Sequence, residues 1–166
     1  MRTIRVNLAK LSVNYHGYVH LLFGLFTLIF IRTVDRNGFS SHALVLTAIA
    51  VVASFLPDVD HLFFMYIYGR KSDYAKALRS FLKHLHVKSF LRHIKDNHKY
   101  QTGIYSHNLG SVVLSAFFTY FELVRKDNIF LATFFLAWTL HYIYDLIEDL
   151  LFFKKPNRNW YFKFNR

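Results

Sequence analysis

The chain has 166 residues, enough for one domain with a single core, and 54% of them are hydrophobic, with aromatic residues alone at 19%. It contains no cysteine, which excludes disulfide bonds and thiolate metal sites, so any transition metal must use His, Asp or Glu. A formal net charge of +11 together with so much apolar sequence favours anionic lipid headgroups over nucleic acid as the partner of the basic residues. The same combination is typical of a small membrane protein with charged connections.

Four apolar stretches predict an all-α membrane bundle of about four spans, forming one domain over residues 1–166. They lie at about 17–31, 42–68, 104–124 and 129–153. A spanning helix needs about 20 predominantly apolar residues, so the first stretch is short, and charged residues interrupt the second and fourth.

The basic residues predict the orientation of these spans. Most of them lie in residues 1–16, in the middle segment 70–103 and in the tail, which are alternate segments of the predicted topology. The positive-inside rule then places both termini and the middle segment in the cytoplasm, with the chain crossing the cell (inner) membrane several times. With only five segments, chance remains an alternative explanation.

The middle segment also has a helical hydrophobic pattern. Tyr74, Leu78, Phe81, Leu82 and Leu85 recur at a spacing of three and four, and basic residues fill the other face. The pattern predicts one or two amphipathic helices that contact anionic headgroups through residues 70–99. The solvated face of a soluble helix is the alternative. Nucleic acid is a weaker one, because no recognition motif accompanies the charge.

The motif "FLPDVDH" at residues 55–61 places two carboxylates and a histidine between apolar runs. Burying such groups is costly unless they bind something. Pro57 suits the first turn of a helix, whose free amides favour Asp58 and Asp60, and Asp58 and His61 are three residues apart, so they can face together. A helix cap at a break in the span is the alternative.

Other candidate residues occur as pairs at helical spacing. In "LHYIYDLIEDL", His141 and Asp145 are four apart on one helix face, with Glu148 a further turn along. They can close on one ion or form a buried hydrogen-bonded pair. His16 and His20 are also four apart at the start of the first span.

The predicted topology brings these signals to one depth. His20, the motif, His107 at the start of the third span and the His141/Asp145 pair all fall near the cytoplasmic side. Four helices that each bring His or Asp to one layer are how metal sites in bundle cores are assembled.

In this order, "VHLLFG", "LPDVDH", "YSHNLGS" and "LHYIYD" resemble the membrane-bound metal-dependent hydrolase family of bacteria and archaea, which includes a LexA-regulated inner-membrane branch. The family is distantly similar to helical zinc phospholipases. The resemblance covers residues 20–145 and is specific mainly at LPDVDH. It implies metal-ligand roles for these residues: His20, Asp58, Asp60, His61, His107, His141 and Asp145.

The chain departs from the family pattern in the third motif. The first His of that motif falls on Thr102, its Arg on Gly103 and its Gly on Ile104, so one implied ligand is missing. His98, four residues earlier, is the nearest replacement, although a loop histidine among basic neighbours is more often solvated.

These observations together predict hydrolysis of a phosphoester or related ester of a lipid-like substrate. Zinc is the expected metal, with manganese or iron as alternatives, and it would lower the pKa of a water molecule and polarise the scissile group. Glu148, or whichever of Asp58 and Asp60 is not a ligand, is the expected general base. The rival interpretations are a non-catalytic membrane subunit of a larger assembly and a metal carrier.

Overall fold

The computed structural model describes residues 2–97, 103–125, 128–153 and 157–161, and this part of the chain is all-helical, as predicted. Among these described residues, three helical segments are long and apolar enough to cross a membrane: Val6–Val34, Phe39–Tyr68 and Ile129–Leu151. Between 22% and 39% of their most apolar windows is buried inside the protein. Most of their apolar surface therefore faces outward, as lipid-facing surface does.

The first helix, α1, spans Arg2–Val34, so the predicted span at 17–31 is too short. Polar residues before position 17 end the hydropathy signal but not the helix, whose backbone satisfies its own hydrogen bonds. Ser12, for example, donates its hydroxyl proton back to the carbonyl of Ala9, at 3.1 Å.

The second span begins with α2, Arg36–Phe55, and its helical geometry changes at the motif. A 3₁₀ turn covers Leu56–Val59, α3 covers Asp60–Phe63, and a π-helical turn covers Phe64–Tyr68. Pro57 has no backbone N–H to donate, so it interrupts the helical ladder here. Such irregular turns often mark functional sites.

The middle segment forms two short helices, α4 (Asp73–Lys83) and α5 (Val87–Asn97). Their apolar stripe packs inward, against a cluster that includes Phe64 and Met65 at the end of the second span and Ile104 before α6. Leu85, which the pattern placed on the stripe, is 84% exposed in the turn between the helices. Its φ of 56° turns the backbone away from the helix.

The last two helices are α6, Leu109–Arg125, and α7, Ile129–Leu151. Helix α6 has 17 residues and is not among the three candidate spans. It begins later than the predicted start at 104 because residues 103–108 form an inward-reaching turn. Helix α7 packs against α1, α2 and α6. The core between them contains the following buried residues: Leu28, Ile31, Leu46, Ala50 and Ala132.

Candidate metal centre

Four separate parts of the chain bring histidine and carboxylate side chains to one place beneath α4 and α5. In the described part of the chain the donor atoms form four overlapping groups of three, and within each group the atoms lie within 4.8 Å of one another. The participating residues come from α1, the PDVDH turns, the turn before α6, and α7: His16, His20, Asp58, His61, His107, His141, Asp145 and Glu148. These buried groups can hold a metal ion.

Asp145 is at the centre of the cluster and is only 4% exposed. Its Oδ1 atom lies 3.5 Å from His20 Nε2 and 3.6 Å from His16 Nε2. Its Oδ2 atom lies 3.3 Å from Nε2 of both His107 and His141. One carboxylate thus faces four imidazoles from three segments of the chain.

These separations fit metal ligands better than hydrogen-bonded partners. An N–H···O bond is usually about 2.7–3.2 Å long. Two ligands about 2.1 Å from one ion in tetrahedral geometry are about 3.4 Å apart. The buried atoms Nε2 of His141 and Oδ1 of Asp145 have no hydrogen-bond partner among the described residues. A shared cation would satisfy both.

Two of the histidines are oriented by hydrogen bonds at Nδ1. His141 Nδ1 donates to the backbone carbonyl of Ser54 at 2.7 Å, which leaves the lone pair on Nε2, and His107 Nδ1 is hydrogen-bonded to the hydroxyl of Ser106 at 3.0 Å. In each ring Nε2 points into the cluster. Such outer hydrogen bonds orient ligating histidines in known metal sites.

His16 belongs to the cluster although it was not among the predicted ligands. Its Nε2 lies 3.0 Å from Nε2 of His20, one helical turn away on α1. The spacing of four residues was visible in the sequence. The ligand set implied by the resemblance, however, began at His20.

Asp60 lies outside the four groups of candidate ligands in the described chain. Its Oδ1 accepts the hydroxyl proton of Tyr68 at 2.5 Å, and its Oδ2 accepts the backbone N–H of Ser106 at 2.7 Å. Through these bonds Asp60 holds the turn that contains His107 against the PDVDH motif. Asp60 therefore suits a positioning role, and its ligand role stays a prediction.

Glu148, the expected general base, is fully buried and does not line the cavity in front of the cluster. Its Oε2 lies 3.4 Å from Nδ1 of His16. A carboxylate behind a histidine orients the ring and raises its basicity as a ligand. The position of Glu148 suits this role, and its role as a base stays a prediction.

A cavity of about 410 Å³ opens in front of the cluster, which is within the usual size range of ligand pockets. One end is polar, with Asp58 and His61 the most exposed members of the cluster, at 34% and 30% of their side chains. The walls are apolar and come largely from the second span and from α4 and α5: Leu62, Met65, Leu78, Phe90, Ile94 and Ile104.

Helix α4 and the carboxyl-terminal segment close this cavity on two sides. Arg79 donates to the backbone carbonyls of Met65 and Arg70, which holds α4 against the second span. Asp149 accepts the indole N–H of Trp160 at 2.7 Å and so fixes the terminal segment beside the centre. Burial raises the pKa of Tyr74, on the cavity wall, to about 12, so its hydroxyl stays neutral.

Thr102 and His98, the two positions connected with the missing ligand, lie outside the described residues.

Comparisons with protein-family models, curated proteins and solved structures found no match. The functional argument therefore depends on the geometry of this chain.

Proposed function

We propose that the protein is a membrane-embedded, metal-dependent hydrolase that acts on a phosphoester or related ester of a lipid-like substrate. The observation that carries the proposal is the position of the His/Asp cluster at the polar end of an apolar-walled cavity. This arrangement is the one that the resemblance to membrane-bound metal-dependent hydrolases leads us to expect.

The donor set supports a divalent transition metal. Imidazole and carboxylate ligands suit zinc, and they also suit manganese and iron. A bound ion would supply Lewis acidity, lowering the pKa of a water molecule and polarising the bond to be hydrolysed. The protein's own contribution is to fix the donor atoms, through the hydrogen bonds of His141 and His107, and to exclude bulk water from the buried side of the cluster.

The shape of the cavity supports a lipid-like substrate. Its apolar walls can accommodate a hydrocarbon chain, while a phosphate or ester group faces the polar end. Asp58 and His61 are open to the cavity and can hold or transfer a proton at the leaving-group oxygen. The other cluster residues are more deeply buried: the remaining histidines and Asp145 suit metal binding, and Glu148 suits the orientation of His16.

We further propose that α6 forms a fourth span and that the outer face of α4 and α5 contacts the membrane surface. Helix α6 packs along α7, and its 17 residues are at the lower limit of a spanning helix. The exposed basic residues of α4 and α5 would meet anionic headgroups of the cytoplasmic leaflet: Lys76, Lys83, Lys88 and Arg92.

The test is hydrolysis by the detergent-purified, zinc-loaded protein, with phosphatidic acid and p-nitrophenyl phosphate as probes. We expect phosphate release from the lipid, with a loss of about 100-fold or more in Asp58→Ala. The control Asp73→Ala removes an exposed carboxylate that pairs with Lys76 on α4, so its rate should equal that of the wild type. A metal-loaded wild type that releases no phosphate from either probe would refute the proposal and favour a non-catalytic subunit or a carrier.

A further inference from the structure

The two oxygens of Asp145 face two different sets of histidines. Oδ1 is near His16 and His20 of α1, whereas Oδ2 is near His107 and His141. All four separations lie between 3.3 and 3.6 Å, close to the spacing of about 3.4 Å for two ligands of one tetrahedral ion. Each oxygen therefore has the surroundings of a metal position, and the two positions are adjacent, since His20, His141 and Asp145 also form one close group.

Asp58 occupies a second place between the same two sets. It forms one close group with His16 and His20 and another with His61 and His107. Its Oδ1 lies 3.7 Å from His141 Nε2 and 3.8 Å from His107 Nε2. The cluster thus has two carboxylates in the middle and imidazoles on both sides.

The number of donors also exceeds what one ion can use. The groups contain five histidines and the three carboxylates of Asp58, Asp145 and Glu148, whereas zinc takes about four or five ligands. A single ion would leave buried donors unsatisfied. Two ions bridged by carboxylates, about 3.5–4 Å apart as in known two-metal sites, would use them.

We propose that the centre is dinuclear, with Asp145 as the bridge between a position at His16 and His20 and a position at His107 and His141. His16, one helical turn before His20, then supplies an imidazole that was not among the predicted ligands. The inference rests on the metal centre of the proposed function and extends it to two ions, but it does not depend on the reaction being a hydrolysis.

The experiment uses the full-length protein, purified in detergent, stripped with chelator and reloaded with Mn²⁺. After desalting, metal content by mass spectrometry should be close to two ions per wild-type chain. The electron paramagnetic resonance spectrum should show an exchange-coupled pair rather than isolated Mn²⁺. One ion per wild-type chain at saturating Mn²⁺, with an uncoupled spectrum, would overturn the proposal.

Single variants separate the two positions. His16→Gln and His107→Gln should each retain about one ion and lose the coupled signal, whereas Asp145→Ala should weaken binding of both ions. His86→Gln is the matched control, because His86 is exposed on the turn before α5 and should leave two coupled ions. If His16→Gln and His107→Gln both abolish binding from a wild type with one ion, the ligands share a single position and the proposal fails.

This test is separate from that of the proposed function. Two coupled ions without any phosphate release would support the dinuclear centre and refute the hydrolase. Phosphate release with one ion per chain would support the hydrolase and refute the dinuclear centre.

Discussion

The Nδ1 atom of His141 lies 2.7 Å from the backbone carbonyl oxygen of Ser54, so α7 donates a hydrogen bond to the last turn of α2. Both residues are completely buried. The bond fixes the tautomer that leaves Nε2 free to bind a cation. It also makes the position of a candidate ligand depend on the packing of α2 against α7.

We expect His141→Ala to lower metal content and stability together. It removes a candidate ligand, with an expected loss of metal affinity of about 100-fold or more. It also leaves the Ser54 carbonyl without this partner in the interior, which costs about 1–3 kcal/mol of unfolding free energy. Metal analysis and thermal unfolding of the purified protein measure the two effects. The exposed His86→Ala should change neither, and an His141→Ala protein with full metal content would contradict the ligand assignment.

We expect Ser106→Ala to weaken metal binding without removing a ligand. The Ser106 hydroxyl is hydrogen-bonded to Nδ1 of His107 at 3.0 Å, so its loss frees the ring to rotate or change tautomer. Loss of such an outer hydrogen bond typically reduces metal affinity by about 10- to 100-fold. Competition with a fluorescent zinc chelator measures this change. Ser80→Ala, on the exposed face of α4, is the control. Equal affinities in the two variants would show that Ser106 does not orient the ring.

The meeting of His20, Asp58, His107 and Asp145 could be anticipated from the sequence, because helical spacing and the charge of the loops together give each residue a face and a depth. The pairing of His16 with His20 was also visible in the spacing, but the hydropathy signal ended at residue 17 while the helix continued to Arg2. Helical spacing is therefore readable from the chain, but the true end of the helix is not.

The roles of Asp60 and of the amphipathic stripe depended on contacts between distant parts of the chain. The Asp60 carboxylate accepts a hydrogen bond from the backbone N–H of Ser106, which is 46 residues away, and no local pattern contains that contact. The periodicity of residues 74–94 correctly indicated helices with one apolar face. It could not tell whether lipid or protein covers that face, because both are apolar.

Two glycines of α1 provide a matched test of how closely α1 and α2 pack beside the centre. A Cβ atom at Gly24 would lie 3.1 Å from the carbonyl oxygen of Ala50 and 3.1 Å from Ser54 Oγ. At Gly17 the same atom would meet only Phe55, at an ordinary 3.9 Å. Gly24→Ala must therefore separate the helices slightly, whereas Gly17→Ala need not.

We expect Gly24→Ala to destabilise the protein by about 1–3 kcal/mol, the usual cost of overpacking. Gly17→Ala should be neutral or stabilising, because alanine favours a helix by up to about 1 kcal/mol over glycine. Thermal unfolding in the same detergent compares the two. Since Ser54 also holds His141, metal affinity should fall in Gly24→Ala alone. Equal stability of the two variants would show that α1 and α2 are not in close contact at this point.

The orientation in the membrane can be tested at the two ends of the second span. Ser40 lies at its beginning and Ser80 lies on α4, which packs against its end, and both side chains are exposed. The chain has no native cysteine, so a single introduced thiol gives no background. The excess of basic residues around α4 and α5 predicts that this end is cytoplasmic.

A membrane-impermeant maleimide should therefore label Ser40→Cys in intact spheroplasts and Ser80→Cys only in inside-out vesicles. Both variants should react equally in detergent, which controls for thiol accessibility. Labelling of Ser80→Cys from the outside would reverse the orientation and move the metal centre to the outer face, and labelling of both from one side would show that this segment does not cross the membrane.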